Sequence, residues 1–289
     1  MERTVESAMR LSRSSGDGVV DEKYESLVKI IRDLESVVVG FSGGVDSTLL
    51  LKVAVDHLGD KALAITAFSP SYPERDRREA VRMARLIGAR HELVDSSEFE
   101  DPSYVANSTK RCFFCKQELF DILWKTARRE GLAAVAYGAI TDDEGDFRPG
   151  MQAAREAGAR APLLESGLCK IDVRKISRRL GLPAWDRPAS ACLSSRIPHG
   201  TPIDPIVLGR VERCEDFLMA NGLGQVRVRS HGEVARIECT AEDIPRFAET
   251  GFRRRLTDRF KQLGFRFVTL DLEGYRTGSL NPPVAVRKK

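Results

Sequence analysis

The alternation of apolar and polar positions predicts an amphipathic helix followed by a series of strand and helix units. Apolar residues recur at helical spacing from Asp21 to Leu34, and the β-branched run from Val37 to Val39 is typical of a buried parallel strand. Further strands are predicted at 62–68, 91–94 and 132–138, and helices are predicted after the first strand, from Pro73 and over 115–129. Repeated units of this kind indicate an α/β fold with a doubly wound parallel sheet.

The pattern changes near Pro205, after a stretch (185–205) rich in proline, serine, alanine and glycine that is typical of a functional loop or linker. Beyond it we predict a helix to Ala220, strands at 225–229 and 234–238, a helix over 244–263 and a final strand at 265–272, which together form a small α+β domain. We therefore expect a flexible leader (1–20), a main domain (21–200), a smaller domain for substrate binding or oligomerisation (201–280) and a tail (281–289).

Composition narrows the class of protein. The 289 residues are enough for one large core and a second, smaller one. The net charge of +4, from 46 basic and 42 acidic residues, gives no strong signature of nucleic-acid or membrane binding. Because we find neither a signal peptide nor an apolar run long enough to cross a bilayer, we expect a cytoplasmic protein, whose six cysteines serve as thiols, ligands or catalytic groups.

Residues 42–47 read Ser-Gly-Gly-Val-Asp-Ser and lie between a predicted strand and a predicted helix. The two glycines let backbone N–H groups approach an anion, toward which the helix directs the positive end of its dipole. The segment lacks the lysine of a Walker loop and resembles the PP-loop of ATP pyrophosphatases, which cleave ATP between the α and β phosphates and adenylate an acceptor oxygen. The predicted nucleotide contacts are Ser42, Gly43, Gly44, Asp46 and Ser47, with Asp142 and Asp143 from an acidic turn after the strand at 132–138.

Three cysteines lie in segments that could converge. Cys112 and Cys115 come just before the helix predicted over 115–129, and Cys192 stands in the proline-rich stretch. Thiolates at a helix N-terminus, with basic residues nearby, would have a lowered pKa and be good nucleophiles. Buried structural cysteines and an inert loop thiol are the alternative, because a single Cys-x-x-Cys is weak evidence for a zinc site.

Two arginines alternate with valines in the strand predicted at 225–229. Arg227 and Arg229 share one face of that strand and could clamp a phosphate or a carboxylate, while Arg236 and Glu238 repeat the arrangement on the next strand. A solvated outer face of the sheet explains the pattern equally well.

Taken together, these motifs resemble the LarE family of ATP-dependent sulfur transferases, which mature the nickel-pincer nucleotide cofactor of lactate racemase. The resemblance covers nearly all of residues 21–281 and implies an adenine nucleotide alpha hydrolase-like fold. The matching segments are 42–47, 111–116, 146–150, 153–156, 191–198, 225–232 and 235–238.

The resemblance implies a reaction in two steps. ATP with magnesium adenylates the carboxylates of pyridinium-3,5-biscarboxylic acid mononucleotide, and a sulfur nucleophile then displaces AMP to leave a thiocarboxylate. Cys192 matches the sulfur-bearing cysteine, which in the sacrificial version becomes dehydroalanine. The other implied roles are a magnesium ligand at Asp46, groups flanking the reacting centre at Ser195 and Arg196, and substrate contacts at Arg227, Arg229, Glu215 and Glu238.

The chain departs from the single-cysteine pattern of the family, because Cys112 and Cys115 accompany Cys192. Three thiolates are the ligand set of a [4Fe–4S] cluster with one open iron, which could carry a hydrosulfide. A cluster-bound donor and a sacrificial cysteine are therefore both open. The resemblance also implies a homo-oligomer, with other maturation proteins and a nickel apo-enzyme as partners.

Other functions are less well supported by the sequence. A PP-loop enzyme of tRNA thiolation would need a pronounced basic surface, which the balanced charge disfavours. Glutamine-dependent amidation would need a glutaminase module, and none is apparent. A regulatory protein with a degenerate loop would bind nucleotide without releasing pyrophosphate, and Cys192 would be dispensable in it.

Overall fold

The structure, a computed structural model, describes residues 15–144, 149–188 and 190–276. Most of the predicted leader, the predicted tail and residues 146–148 of one matching segment lie outside the described residues. The first helix, α1 (Ser15–Asp33), begins inside the predicted leader and ends where the apolar pattern predicted.

Four parallel strands form the larger sheet, in the order β3-β2-β1-β4, and this confirms the predicted doubly wound fold. The strands are β1 (Val37–Gly40), β2 (Ala62–Phe68), β3 (Arg90–Asp95) and β4 (Ala134–Tyr137). The helices that follow α1 are α2 (Val45–Leu58), α3 (Glu74–Ile87), α4 (Pro102–Val105), α5 (Arg111–Glu130), α6 (Pro149–Glu156), α7 (Pro162–Glu165) and α8 (Lys170–Arg179).

Both faces of this sheet are buried, as the β-branched run predicted. Val37 and Val39 pack into a core with α1, α2 and α3, whereas Val38 points to the other face and packs with α5 and α6. Alternate side chains of a strand point to opposite faces, so a strand covered on both sides is apolar throughout. Because β1 and β4 are paired in parallel, their carboxyl ends lie at the same edge of this sheet.

A second sheet has the order β5-β6-β7, with β5 and β6 antiparallel and β6 and β7 parallel. Its apolar core includes Tyr104, Leu193 and Ile197 from earlier in the chain. Residues from both sides of position 200 thus pack into one apolar core. The domain boundary that we place at residue 200 stays a prediction. The elements are α9 (Pro205–Ala220), β5 (Val226–His231), β6 (Val234–Cys239), α10 (Thr250–Gln262) and β7 (Phe267–Leu270).

The single helix predicted over 244–263 is wrong. A 3₁₀ helix spans Ala241–Ala248 and contains Pro245, and α10 begins separately at Thr250. Glu249 separates the two helices, because its backbone is extended, with φ of −63° and ψ of 117°.

Candidate active site

The PP-loop connects β1 to α2 and is braced by its own serines. Ser42 N donates to Ser47 Oγ at 3.2 Å, the two hydroxyl oxygens lie 3.1 Å apart, and Ser47 Oγ donates to Gly44 O at 3.2 Å. Gly44 is the N-cap of α2 and offers no side chain to cap it. The N-terminus of α2 therefore has no side-chain cap at Gly44, as suits a helix end that binds an anion.

Side chains outside the PP-loop bind its backbone. Tyr72 Oη donates to Ser42 O at 2.9 Å, and Arg187 Nη1 donates to Gly43 O at 3.2 Å. Gly43 has a φ of +67°, and a Cβ placed on it would lie 2.8 Å from Ala80 Cα in α3. Only glycine fits both this backbone conformation and this close approach.

Asp46, the predicted magnesium ligand, forms an ion pair that the sequence analysis did not find. Lys170 Nζ donates to both of its carboxylate oxygens, at 2.8 and 2.6 Å. Burial raises the pKa of Asp46, and the ammonium group of Lys170 opposes that rise. The two residues are 124 positions apart in the chain, so no local pattern signals the pair.

The acidic turn lies at the same edge of the sheet. Asp142 Oδ1 accepts from Lys170 N at 2.9 Å, at the start of α8, and Asp143 Oδ2 accepts from Ile140 N at 3.1 Å. Both carboxylates thus hold backbone groups beside the PP-loop. Their predicted contact with nucleotide or metal stays a prediction.

The residues at this edge fit ATP with magnesium. The Asp46 side chain is 24% exposed, and a carboxylate of this kind is a usual protein ligand of Mg²⁺, which takes its remaining ligands from phosphates and water. Lys170 adds a positive charge beside the PP-loop.

Cys192 immediately precedes a short 3₁₀ helix, Leu193–Arg196. Its carbonyl accepts hydrogen bonds from Ser195 N at 3.0 Å, Ser195 Oγ at 2.8 Å and Arg196 Nη1 at 3.1 Å. Ser195 therefore fixes the backbone of Cys192. The place of Ser195 beside the reacting centre stays a prediction.

Arg196, predicted to flank the reacting centre, and Glu215, predicted to contact substrate, are both completely buried, and these roles stay predictions. Arg196 Nε and Nη2 donate to the Glu215 carboxylate at 2.8 and 3.1 Å, and neither side chain has any exposed area. Arg75 Nη2 and Val228 N donate to the same carboxylate at 2.9 and 3.0 Å. Burial alone would raise the pKa of Glu215, but the two arginines outweigh it and lower that pKa.

The first turns of α5 carry Cys112 and Cys115, because this helix begins at Arg111 and not at Cys115 as predicted. Arg111 Nη1 donates to Ser194 O at 2.9 Å, while Nη2 donates to Cys112 Sγ at 3.8 Å. The bond from Arg111 to Ser194 O joins the first turn of α5 to the segment that directly follows Cys192. The structure thus brings together the two segments that carry the three cysteines.

The described donor set gives no support for the predicted [4Fe–4S] cluster. Burial, reinforced by the Glu98 carboxylate, raises the pKa of the Cys115 thiol, which is the opposite of the lowered pKa that we predicted. Cluster iron binds thiolates. Over residues 15–144, 149–188 and 190–276, no three histidine, cysteine or acidic side chains are arranged to hold a metal ion.

The arginine face of β5 is largely paired within the protein. Arg229 Nη1 donates to Ser195 O at 2.8 Å and Nη2 donates to Glu238 at 2.7 Å, and Arg236 adds a bond of 2.8 Å to the same carboxylate. Glu238 is completely buried in these ion pairs, and its predicted substrate contact stays a prediction. Arg227 stays partly exposed. Burial and the nearby Arg196 lower its pKa.

Comparison with known proteins places this site in a family. A family model described as NAD synthase matches residues 22–110, which include the PP-loop. A protein of Synechocystis sp., named only as uncharacterized, is 47% identical over 91% of this chain and 98% of its own length.

Pyridinium-3,5-bisthiocarboxylic acid mononucleotide synthase of Lactiplantibacillus plantarum, the curated LarE protein, is 38% identical over 90% of this chain and 94% of its own length. The chain belongs to the LarE family. An NH₃-dependent NAD⁺ synthetase of Hyperthermus butylicus is 29% identical over 57% of this chain and 64% of its own length.

As a LarE-family member the chain is an ATP-dependent enzyme. Among its described residues, no helix combines the length and apolar character that a membrane span requires. Its PP-loop and its Cys192 lie in segments that are hydrogen-bonded to each other through Arg187.

Proposed function

We propose that the protein uses ATP to convert the carboxylates of pyridinium-3,5-biscarboxylic acid mononucleotide to thiocarboxylates, with Cys192 as the sulfur-bearing residue. The supporting observation is the bond from Arg187, in the segment leading to Cys192, to Gly43 O of the PP-loop at 3.2 Å. This bond links the segment that carries the nucleophile to the nucleotide loop. The relationship to the synthase of Lactiplantibacillus plantarum supplies the substrate class.

In the first step a substrate carboxylate oxygen attacks the α-phosphorus of ATP, and pyrophosphate leaves. The N–H groups at the start of α2 and the Lys170 ammonium bind the departing phosphates and offset their charge. Asp46 would hold the Mg²⁺ ion, which supplies charge neutralisation when it is bound.

In the second step the Cys192 thiolate attacks the carbonyl carbon of the adenylate. An S–C bond forms, and the C–O bond to AMP breaks with its electron pair leaving on AMP. Loss of the Cys192 Cα proton then breaks the Cβ–S bond, which leaves a thiocarboxylate and dehydroalanine. Neither step requires an external oxidant or reductant.

The test uses the full chain with ATP, Mg²⁺ and the pyridinium dicarboxylate mononucleotide. We expect substrate-dependent release of AMP and pyrophosphate together with a thiocarboxylate product seen by mass spectrometry. The Cys192→Ala variant should still release AMP and make no thiocarboxylate, and Cys169→Ala is the matched control. Nucleotide binding with no pyrophosphate release would contradict the proposal and favour a regulatory protein.

The remaining expectations belong to this proposal and have their own tests. Anaerobic reconstitution with iron and sulfide decides whether a cluster on the three cysteines replaces the sacrificial route, since absorption by iron–thiolate groups would then appear. A homo-oligomer, a nickel apo-enzyme partner and a cytoplasmic location stay predictions. Light scattering of the purified chain measures the first of these.

A further inference from the structure

Asp76 connects the segment before Cys192 to the rest of the site, although none of the sequence motifs includes it. It lies in the first turn of α3 and is only 5% exposed. One carboxylate oxygen accepts from Arg187 Nη2 at 2.7 Å, and the other accepts from the Ser190 hydroxyl. A single buried carboxylate therefore binds the chain at two points, which lie five and two positions before Cys192.

The same contacts reach the PP-loop. While Arg187 Nη2 binds Asp76, Nη1 of the same guanidinium donates to Gly43 O at 3.2 Å. The α3 helix also touches the loop directly, because Gly43 packs against Ala80. Asp76 thus lies between the loop that binds nucleotide and the segment that carries the thiol.

On the other side of Cys192 the backbone is anchored to the segment just before α3. Leu193 N donates to Ser71 O at 2.8 Å. Cys192 therefore lies between two anchors, Ser190 and Leu193, both attached at the beginning of α3. Such a short, doubly anchored segment holds its side chain within a narrow range of positions.

We infer that Asp76 is a positioning residue that holds the Cys192 thiol where sulfur, and not water, displaces AMP from the adenylate. This inference rests on the proposed function. When the thiol is misplaced, water attacks the same carbonyl carbon, the C–O bond to AMP breaks, and the carboxylate is regenerated. ATP is then consumed without sulfur transfer. The amount of thiocarboxylate formed per AMP released therefore falls, while adenylation continues.

The experiment measures AMP and thiocarboxylate in the same quenched sample of the Asp76→Asn full chain. The amide keeps the size of the side chain and removes its charge from Arg187. We expect AMP formation within about threefold of wild type and a ratio of thiocarboxylate to AMP that is lower by about tenfold or more. Asp56→Asn is the matched control, because this exposed carboxylate pairs with Lys52 on α2, and its ratio should equal that of wild type.

Ser190→Ala removes the hydroxyl that donates to Asp76, and it tests the inference if Asp76→Asn does not fold. This variant should also lower the ratio of thiocarboxylate to AMP. Asp76→Glu, which keeps the carboxylate, should have a ratio between those of Asp76→Asn and wild type. A wild-type ratio in the variants that fold, whatever their overall rate, would overturn the inference. Failure of the proposed function looks different, since wild type itself would then release no substrate-dependent AMP.

Discussion

Gly43 illustrates at the scale of one residue how close packing constrains the PP-loop. Its φ is positive and α3 lies directly against it, so an added methyl group would require both backbone strain and movement of the helix. The sequence predicted a glycine turn at this point, since a glycine pair follows a buried strand. It could not predict the contact with Ala80, which depends on how α3 packs.

We expect Gly43→Ala to lower substrate-dependent pyrophosphate release by about tenfold or more, because the loop must shift to accommodate the Cβ. Gly88→Ala is the control. Gly88 also has a positive φ, of +76°, but a Cβ there would meet nothing within 4 Å. It should cost about 1 kcal/mol of stability and leave pyrophosphate release unchanged. Equal release rates for the two variants would refute the packing argument.

Lys170→Met tests the ion pair with Asp46. Removing the ammonium group leaves a partly buried carboxylate without this cation and takes a positive charge from the proposed phosphate site, so we expect the Kd for ATP with Mg²⁺ to rise about tenfold or more. Isothermal titration calorimetry measures this Kd. Lys175→Met, an exposed position on the same helix, should bind ATP as wild type does. Unaltered affinity in Lys170→Met would exclude a role for Lys170 at the phosphates.

The cysteines of α5 should differ in reactivity. Cys112 is exposed, whereas burial and Glu98 raise the pKa of Cys115, and the thiolate is the reactive form. At pH 8 we expect iodoacetamide to modify Cys112 at least about tenfold faster than Cys115, as measured by peptide mass spectrometry. In urea the two rates should converge. Faster modification of Cys115 in the native protein would show that its thiol is not held as described.

At the scale of elements, periodicity predicted the strand, loop and helix of the nucleotide site and all four strands of the main sheet. It missed the start of α5 at Arg111 and the break between the 3₁₀ helix and α10. It also missed the buried ion pair of Arg196 with Glu215, because such a partner is set by tertiary packing. A charged residue in a motif does not reveal whether its partner is a substrate or a side chain far along the chain.

The ion pairs of Glu215 join three elements, since its carboxylate binds α3 through Arg75, the Cys192 segment through Arg196 and β5 through Val228 N. Because its pKa is lowered in the folded state, the charged carboxylate stabilises the fold above the unfolded pKa. This contribution is lost as the pH falls through the folded pKa. Removing one partner of such a buried pair is strongly destabilising.

We therefore expect Glu215→Gln to lower the free energy of unfolding by about 3 kcal/mol at pH 7, with a smaller difference from wild type below about pH 4. Urea unfolding at both pH values measures this. Asp216→Asn on the same helix is the control, because that carboxylate is 52% exposed and its pair with Arg75 should contribute less than about 1 kcal/mol. A difference for Glu215→Gln that does not change with pH would contradict the assignment.

At the scale of the whole molecule, the candidate active site forms where the two sheets meet. The Cys192 segment is bonded to the PP-loop through Arg187, to Glu215 of α9 through Arg196, and to β5 of the second sheet through Arg229. The sequence indicated both sheets and all three cysteines, but the relative placement of the sheets depends on apolar packing and on long-range ion pairs that no local pattern encodes. The role of the second sheet as support for the thiol segment therefore emerges only from the structure.

The most direct test of the account is the mass of the protein after a single turnover with ATP, Mg²⁺ and the pyridinium dicarboxylate mononucleotide. We predict the loss of one H₂S from the protein, localised by peptide mapping to Cys192, in proportion to the thiocarboxylate formed. Thiocarboxylate formation by the Cys192→Ala variant, or by wild type with the mass of the Cys192 peptide unchanged, would contradict Cys192 as the sacrificial sulfur donor.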